Sequence, residues 1–184
     1  MGSGQMLLTL GAMMLLGIII LTANSTMLDN EQVVMDSEFG VAAISLATSL
    51  VEEVQGKVFD AAGADSGITS LSKLTPVGSL GPSMIEQYRT TDTTKADFND
   101  VDDFNNFWIE YVADTTRSRI ATYRGEARGF RADYFIKARV YYVDKSNPDG
   151  ISSFPTWHKK VVITVTSPSS RDTLRFPTIV SYWN

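Results

Sequence analysis

The stretch Met6-Leu7-Leu8-Thr9-Leu10-Gly11-Ala12-Met13-Met14-Leu15-Leu16-Gly17-Ile18-Ile19-Ile20-Leu21-Thr22-Ala23 decides the architecture of this chain. It carries no charge, and Thr9 and Thr22 are its only polar side chains. As an α-helix rising ~1.5 Å per residue it reaches ~27 Å, close to the ~30 Å hydrocarbon core of a bilayer. A helix that is apolar all round needs a dry environment on every side, and an apolar surface of this size marks an interaction.

The flanks sharpen the reading. Met1-Gly2-Ser3-Gly4-Gln5 contains no Lys or Arg, and the first basic residue of the chain is Lys57. A secretory signal peptide has a positive n-region, and a membrane span takes its orientation from basic residues beside it. We therefore expect that a basic leader was removed ahead of Met1.

Beyond Ala23 the helical pattern continues, because no proline occurs before Pro76. Asn24, Ser25 and Thr26 compete for backbone hydrogen bonds, so a kink or melted turn is expected there. Further on, Val41, Ile44, Val51, Val54 and Val58 form one apolar stripe, and Phe39, Ala42, Leu46 and Leu50 form a second. A helix with two such stripes covers its own domain with one and neighbouring subunits with the other. Gly63 and Gly67 supply the permissive backbone expected to end it.

Ser, Thr, Gly and Pro dominate the chain from there to about Thr94, which reads as a long surface connection. The period then falls to two. In Tyr134–Val143 the residues Ile136, Ala138 and Val140 share one face, with Lys137 and Arg139 opposite. The turn Asn147-Pro148-Asp149-Gly150 leads to a second strand, about Lys159 to Thr166, with Val161, Ile163 and Val165 inward. A third, Thr173 to Trp183, contains Pro177 and therefore belongs at an edge or a bulge. Arg117 to Arg124 is a candidate fourth.

The expected fold class is α+β: a long N-terminal helix, apolar then amphipathic, with its valine stripe packed on a small C-terminal antiparallel β-sheet. Residues 1–26 form the apolar segment, 27–60 the amphipathic helix, 61–115 the connection, and 116–184 the sheet that makes one globular domain with 27–60.

Composition removes several function classes. With 184 residues and 43% hydrophobic content the chain suits one domain plus an attached element. A net charge of -5 argues against nucleic acid, whose phosphates demand clustered Lys and Arg. There is no cysteine, so disulfides, thiolate metal sites and cysteine nucleophiles are excluded.

The single histidine, His158, stands at the start of a strand. No G-x-S-x-G elbow, P-loop or dinucleotide fingerprint occurs, so neither a catalytic residue nor a cofactor is expected. The run Asp97-Phe98-Asn99-Asp100-Val101-Asp102-Asp103 is the one place where carboxylates could ring a hard cation. Asp97, Asp100, Asp102 and Asp103 would be its calcium ligands. The spacing is not that of an EF-hand, and the plainer reading is a solvated loop or helix start, with no metal. Tyr141, Tyr142, Phe154, Trp157, Tyr182 and Trp183 fit sheet packing or interface anchoring.

An apolar helical half, an amphipathic half, a loop and a small antiparallel sheet together resemble the type IV pilin family. The run Lys159-Lys160-Val161-Val162-Ile163-Thr164-Val165-Thr166 is similar to a strand of several pilin-like proteins. The resemblance implies a basic leader cleaved by a prepilin peptidase and a methylated new N-terminus. It also implies a structural subunit of an extracellular filament, held in the cytoplasmic membrane before assembly machinery polymerises it. Family members carry glutamate at the fifth mature position, whereas counting from Met1 gives Gln5, an amide in place of the carboxylate. Cleavage after Gly2 or Gly4 puts no acidic residue there either.

On this resemblance the assembly residues are Met1, Gln5, Leu7, Leu8, Leu10, Gly11, Met14, Leu15, Gly17, Ile18, Ile19 and Leu21. The partners implied are copies of the chain, the membrane before assembly, and pilus or secretion machinery. A minor pilin or secretion pseudopilin shares the layout. A monomeric membrane-anchored binding domain is the alternative from another class.

Overall fold

In the computed structural model, residues 2–63, 67–83, 98–111, 116–118, 132–168, 170 and 172–183 are described. The helix α1 runs unbroken over Ser3–Gln55. No kink interrupts Asn24–Thr26. The hydroxyls expected to disturb the ladder instead donate back into it: Thr22 Oγ1 to Ile18 O at 2.8 Å, Ser25 Oγ to Thr22 O at 2.9 Å, and Thr26 Oγ1 to Thr22 O at 2.9 Å. Back-bonding satisfies these side chains without breaking the backbone pattern.

Helix α1 ends before Gly63 and Gly67. It stops at Gln55, where the Gly56 amide still donates to Glu52 O and Glu53 O at 3.0 and 3.2 Å. Val58, read above as part of a helical stripe, lies beyond the helix and forms a parallel bridge with Asp100.

Residues 1–40 and 41–184 are two compact units. In the first, every described side chain up to Glu38 is exposed. In the second, five antiparallel strands form one sheet: β1 (Trp108–Tyr111), β2 (Thr116–Ser118), β3 (Tyr134–Tyr142), β4 (His158–Thr166) and β5 (Thr173–Ser181), in the order β2-β1-β3-β4-β5. Strand β1 starts inside the stretch read as connection, and of the candidate strand Arg117–Arg124 only 117 and 118 lie within the described residues.

The alternation holds where it was read. Ile136, Ala138 and Val140 are buried with Val161, Ile163 and Val165, while Lys137 and Arg139 face solvent. Pro177 pairs with Val162 on the edge strand β5, where a missing donor leaves no ladder bond unmade on the outer side.

The α1 face that covers this unit takes only Val54 from the valine stripe and Leu50 from the second stripe. The buried helix residues are Ala43, Ala47, Leu50 and Val54, spaced by four, three and four. Val41 and Ile44 stay exposed. Alanines keep the first two turns of this face small, and Leu50 and Val54 fill the last two. Gln55 Nε2 donates to Thr178 Oγ1 of β5 at 3.1 Å. Because Ala47 is fully buried, Ala47→Leu is expected to lower stability by about 1–3 kcal/mol, against a change within about 0.5 kcal/mol for Val41→Ala. Denaturant unfolding of the detergent-solubilised chain, followed by tryptophan fluorescence, measures both.

Candidate functional site

Two features stand out among the described residues, one by exposed apolar surface and one by buried charge. The first is the surface of α1. It is long and apolar enough to cross a membrane, and none of its most apolar window is buried. Leu7, Leu8, Leu10, Met14, Leu15, Ile18, Ile19 and Leu21 are all more than half exposed. A Cβ built on Gly11 or Gly17 meets nothing within 4 Å, so both glycines leave the helix backbone open to close approach. The Gln5 amide N–H donates to Gly2 O at 3.0 Å, placing Gln5 in the first turn. Met1 lies outside the described residues.

The second feature is a buried ionic cluster. After Gly56 the chain passes beside residues 99–101, with Val58 N donating to Asn99 O and Val101 N to Val58 O at 3.0 Å. That crossing sets Phe59 and Asp60 next to the acidic run. Asp100 Oδ2 accepts from Ala61 N at 2.6 Å, and its Oδ1 accepts from Asp102 N at 2.7 Å and Asp103 N at 3.2 Å, which winds Asp102–Phe104 into a short 3₁₀ turn. Asp103 Oδ2 accepts from Asn99 N and Asp100 N. Asp60 accepts from Ala62 N and Thr75 N. Edge-to-face packing of Phe98, Phe104 and Phe107 supports the turn from below.

Into this cluster β4 sends Lys159, whose side chain is fully buried. Its Nζ donates to Phe59 O at 2.7 Å and to Asp60 Oδ2 at 3.0 Å, and it touches Asp102 Oδ1 at 2.6 Å. The ammonium lies 4.4 Å from the Phe59 ring centre and 5.2 Å from that of Tyr142. The Tyr142 hydroxyl donates to Thr75 O at 2.8 Å.

The carboxylates differ in how they are satisfied. Burial works against the charge on Asp60, but the Thr75 amide, Lys159 and the Ala62 amide outweigh it and hold the group below its usual pKa. Burial raises Asp100 in spite of Lys159 and three amides. Asp102 is pushed up to about 6 by burial, against the pull of Lys159. Among the described residues neither Asp102 oxygen has a hydrogen-bond partner, so its contact with Lys159 is an ion pair without hydrogen-bond alignment. The buried Tyr142 hydroxyl is raised by burial first and then by the neighbouring carboxylates.

One oxygen from each of Asp60, Asp100 and Asp102 lies within 4.8 Å of the others. Three of the candidate calcium ligands, Asp100, Asp102 and Asp103, are therefore buried rather than part of a solvated loop, and Asp97 lies outside the described residues. The positive charge among them comes from Lys159. Sequence reasoning missed Asp60 and Lys159, although parity along β4 puts Lys159 on the same face as Val161, Ile163 and Val165.

His158 lies next to Lys159 at the start of β4, with Nδ1 2.7 Å from Ser181 Oγ of β5. Of the aromatics, Tyr142 and Tyr182 pack around Phe59 and Ile68, and Trp157 stacks on Tyr182 at 5.6 Å. Phe154 and Trp183 remain largely exposed.

Compared with protein-family models, curated proteins and solved structures, the chain matches none of them. The element order, a long N-terminal helix with an apolar first part followed by an antiparallel sheet, is compatible with a pilin-like fold.

Proposed function

We propose that this chain is the structural subunit of an extracellular pilus-like filament, held in a membrane by α1 and polymerised by burying the N-terminal helices against one another. One observation carries the reading: among the described residues, the large apolar side chains of α1 from Met6 to Leu21 are all more than half exposed. In lipid such a helix is stable alone. Outside the membrane it is stable only among copies of itself, because exposing it to water costs ~25 cal/mol per Å².

Moving the helix from lipid to a helical bundle changes hydrophobic burial little, so close packing at Gly11, Ala12 and Gly17 must select the contacts. Once assembled, the subunit would face that cost in water on leaving, which locks the fibre kinetically. Catalysis has no part in this reading, and neither a cofactor nor nucleic acid enters it.

Negative-stain microscopy of sheared surface material tests the proposal. Fibres in which this chain is the dominant protein are the expected result. Recovery of the chain only as dispersed monomer would sink the idea, and its presence as a trace component of fibres built from another subunit would reassign it as a minor pilin or pseudopilin.

A further inference from the structure

The contact between Lys159 and Asp102 holds the two halves of an amide in a dry pocket. We propose that the mature protein closes this contact into an intramolecular isopeptide bond between Lys159 Nζ and Asp102 Cγ, with Asp60 and Asp100 as the proton acceptors. The inference does not depend on the filament reading, since it concerns residues 60–159 of the globular unit alone.

Each group suits its part. Lys159 Nζ is a primary amine, fully buried, 2.6 Å from an oxygen of Asp102 and walled by the rings of Phe59 and Tyr142. Asp102 is 2% exposed and, among the described residues, receives no hydrogen bond on either oxygen, so the charge that supports its anion there is that of the lysine. Of the carboxylates that meet Lys159, Asp102 is therefore the one whose negative charge is least supported by hydrogen bonds. A carboxylic acid is an electrophile where a carboxylate is not. Asp60 and Asp100, by contrast, accept backbone N–H bonds that support a negative charge, and each presents an oxygen within 4.8 Å of Asp102. They can take and return protons without leaving the pocket.

The step balances. Lys159 gives one proton to a neighbouring carboxylate, and the neutral amine attacks Cγ of protonated Asp102. The Cγ–O bond breaks as the second nitrogen proton, relayed by a carboxylate, leaves with the hydroxyl as water. One N–C bond forms, one C–O bond breaks, nothing is oxidised, and the proton released from Lys159 stays on the Asp60–Asp100 pair. Holding two reacting groups in contact is equivalent to ~10⁵–10⁸ M of one about the other, and exclusion of water opposes the reverse hydrolysis. The product would staple the Asp102 turn to β4 in a chain that has no cysteine.

Intact mass under denaturing conditions, on the full chain extracted in detergent and shown to be folded, tests the proposal. Wild type should weigh one water less than its sequence, and proteolysis should release a branched peptide joining residue 159 to residue 102. Lys159→Arg and Asp102→Ala should regain the full mass. Asp102→Asn should give the same link with loss of ammonia. The branched peptide is read on wild type, so the test survives a variant that fails to fold. A folded wild type at full mass overturns the proposal, as does a full denatured mass with bound calcium in the native spectrum, which would assign the cluster to a cation. A water loss that persists in Lys159→Arg also overturns it.

Discussion

Lys159→Ala is expected to cost the globular unit at least about 3–5 kcal/mol, the penalty for removing one partner of a buried ion pair. Typical domains are stable by only ~5–15 kcal/mol, so much of the fold's margin would go. The reason is the imbalance of charge. Asp60, Asp100 and Asp102 are all buried around one ammonium, and its loss leaves negative charges with no counterion in a pocket closed to water. If the amide has formed, the same substitution frees Asp102 to ionise again, and the conclusion is unchanged. A neutral replacement distinguishes charge from packing. Lys159→Met combined with Asp60→Asn and Asp102→Asn should recover much of the loss, because a buried pair replaced by neutral groups of similar volume is often tolerated. Thermal unfolding of the detergent-solubilised chain gives the readout. A fall in Tm of roughly 6–20 °C is expected for the single variant. A single variant as stable as wild type would mean that water reaches the cluster and screens it.

Gly11→Leu is expected to abolish fibres while leaving the protein in the membrane. Leucine is favoured at the centre of a span by about 0.3–0.6 kcal/mol, so insertion does not suffer. Helix association in a dry core, however, depends on small residues that let backbones touch, and among the described residues nothing lies within 4 Å of where a side chain at Gly11 would begin. A leucine there would be accommodated in lipid and obstruct a neighbouring helix. Leu15→Lys supplies the contrast. A charge near the middle of the span costs about 2.5–3.5 kcal/mol on insertion, so both anchoring and assembly should fall together. Membrane fractionation and fibre counts by microscopy separate the two outcomes. Wild-type fibre yield from Gly11→Leu would show that no neighbour packs at that glycine, and the assembly reading of this helix face would be withdrawn.

Strands β3 and β4 were legible because buried residues alternate with more accessible ones, which writes a period of two into nine residues at a time; in β5 the alternation is only between exposed and half-buried positions. Strand β1 has four residues, Trp108–Tyr111, too short for alternation to stand out from the surrounding loop. The helix end was misplaced because Gly56 was passed over in favour of the glycines at 63 and 67, and the stretch 56–60 looks helical by composition alone. The choice of helix face was wrong for a related reason. The stripes were drawn by residue type, whereas burial follows a face that joins Ala43 and Ala47 to one member of each stripe, Leu50 and Val54, and leaves Val41 exposed.

The ionic cluster marks the same boundary from the other side. Acidic residues at 100, 102 and 103 were noticed as a run, and an inward lysine at 159 could have been found by counting along β4. Nothing local connects them to each other or to Asp60. Their meeting is produced by the Val58–Asp100 bridge, a long-range pairing whose partners leave no periodic trace in either segment.

What the amino-acid order determined unaided was everything that repeats: an uncharged helix of membrane length, and strands whose outer and inner faces alternate. Periodicity is enforced by solvent on one side and dryness on the other, so it survives in one dimension. The three-dimensional fold alone decided which helix face is covered, where the helix stops, and that one lysine is surrounded by three carboxylates. Those outcomes depend on distances between segments far apart in the chain, and a contact of that kind is decided by packing rather than by any neighbour in sequence.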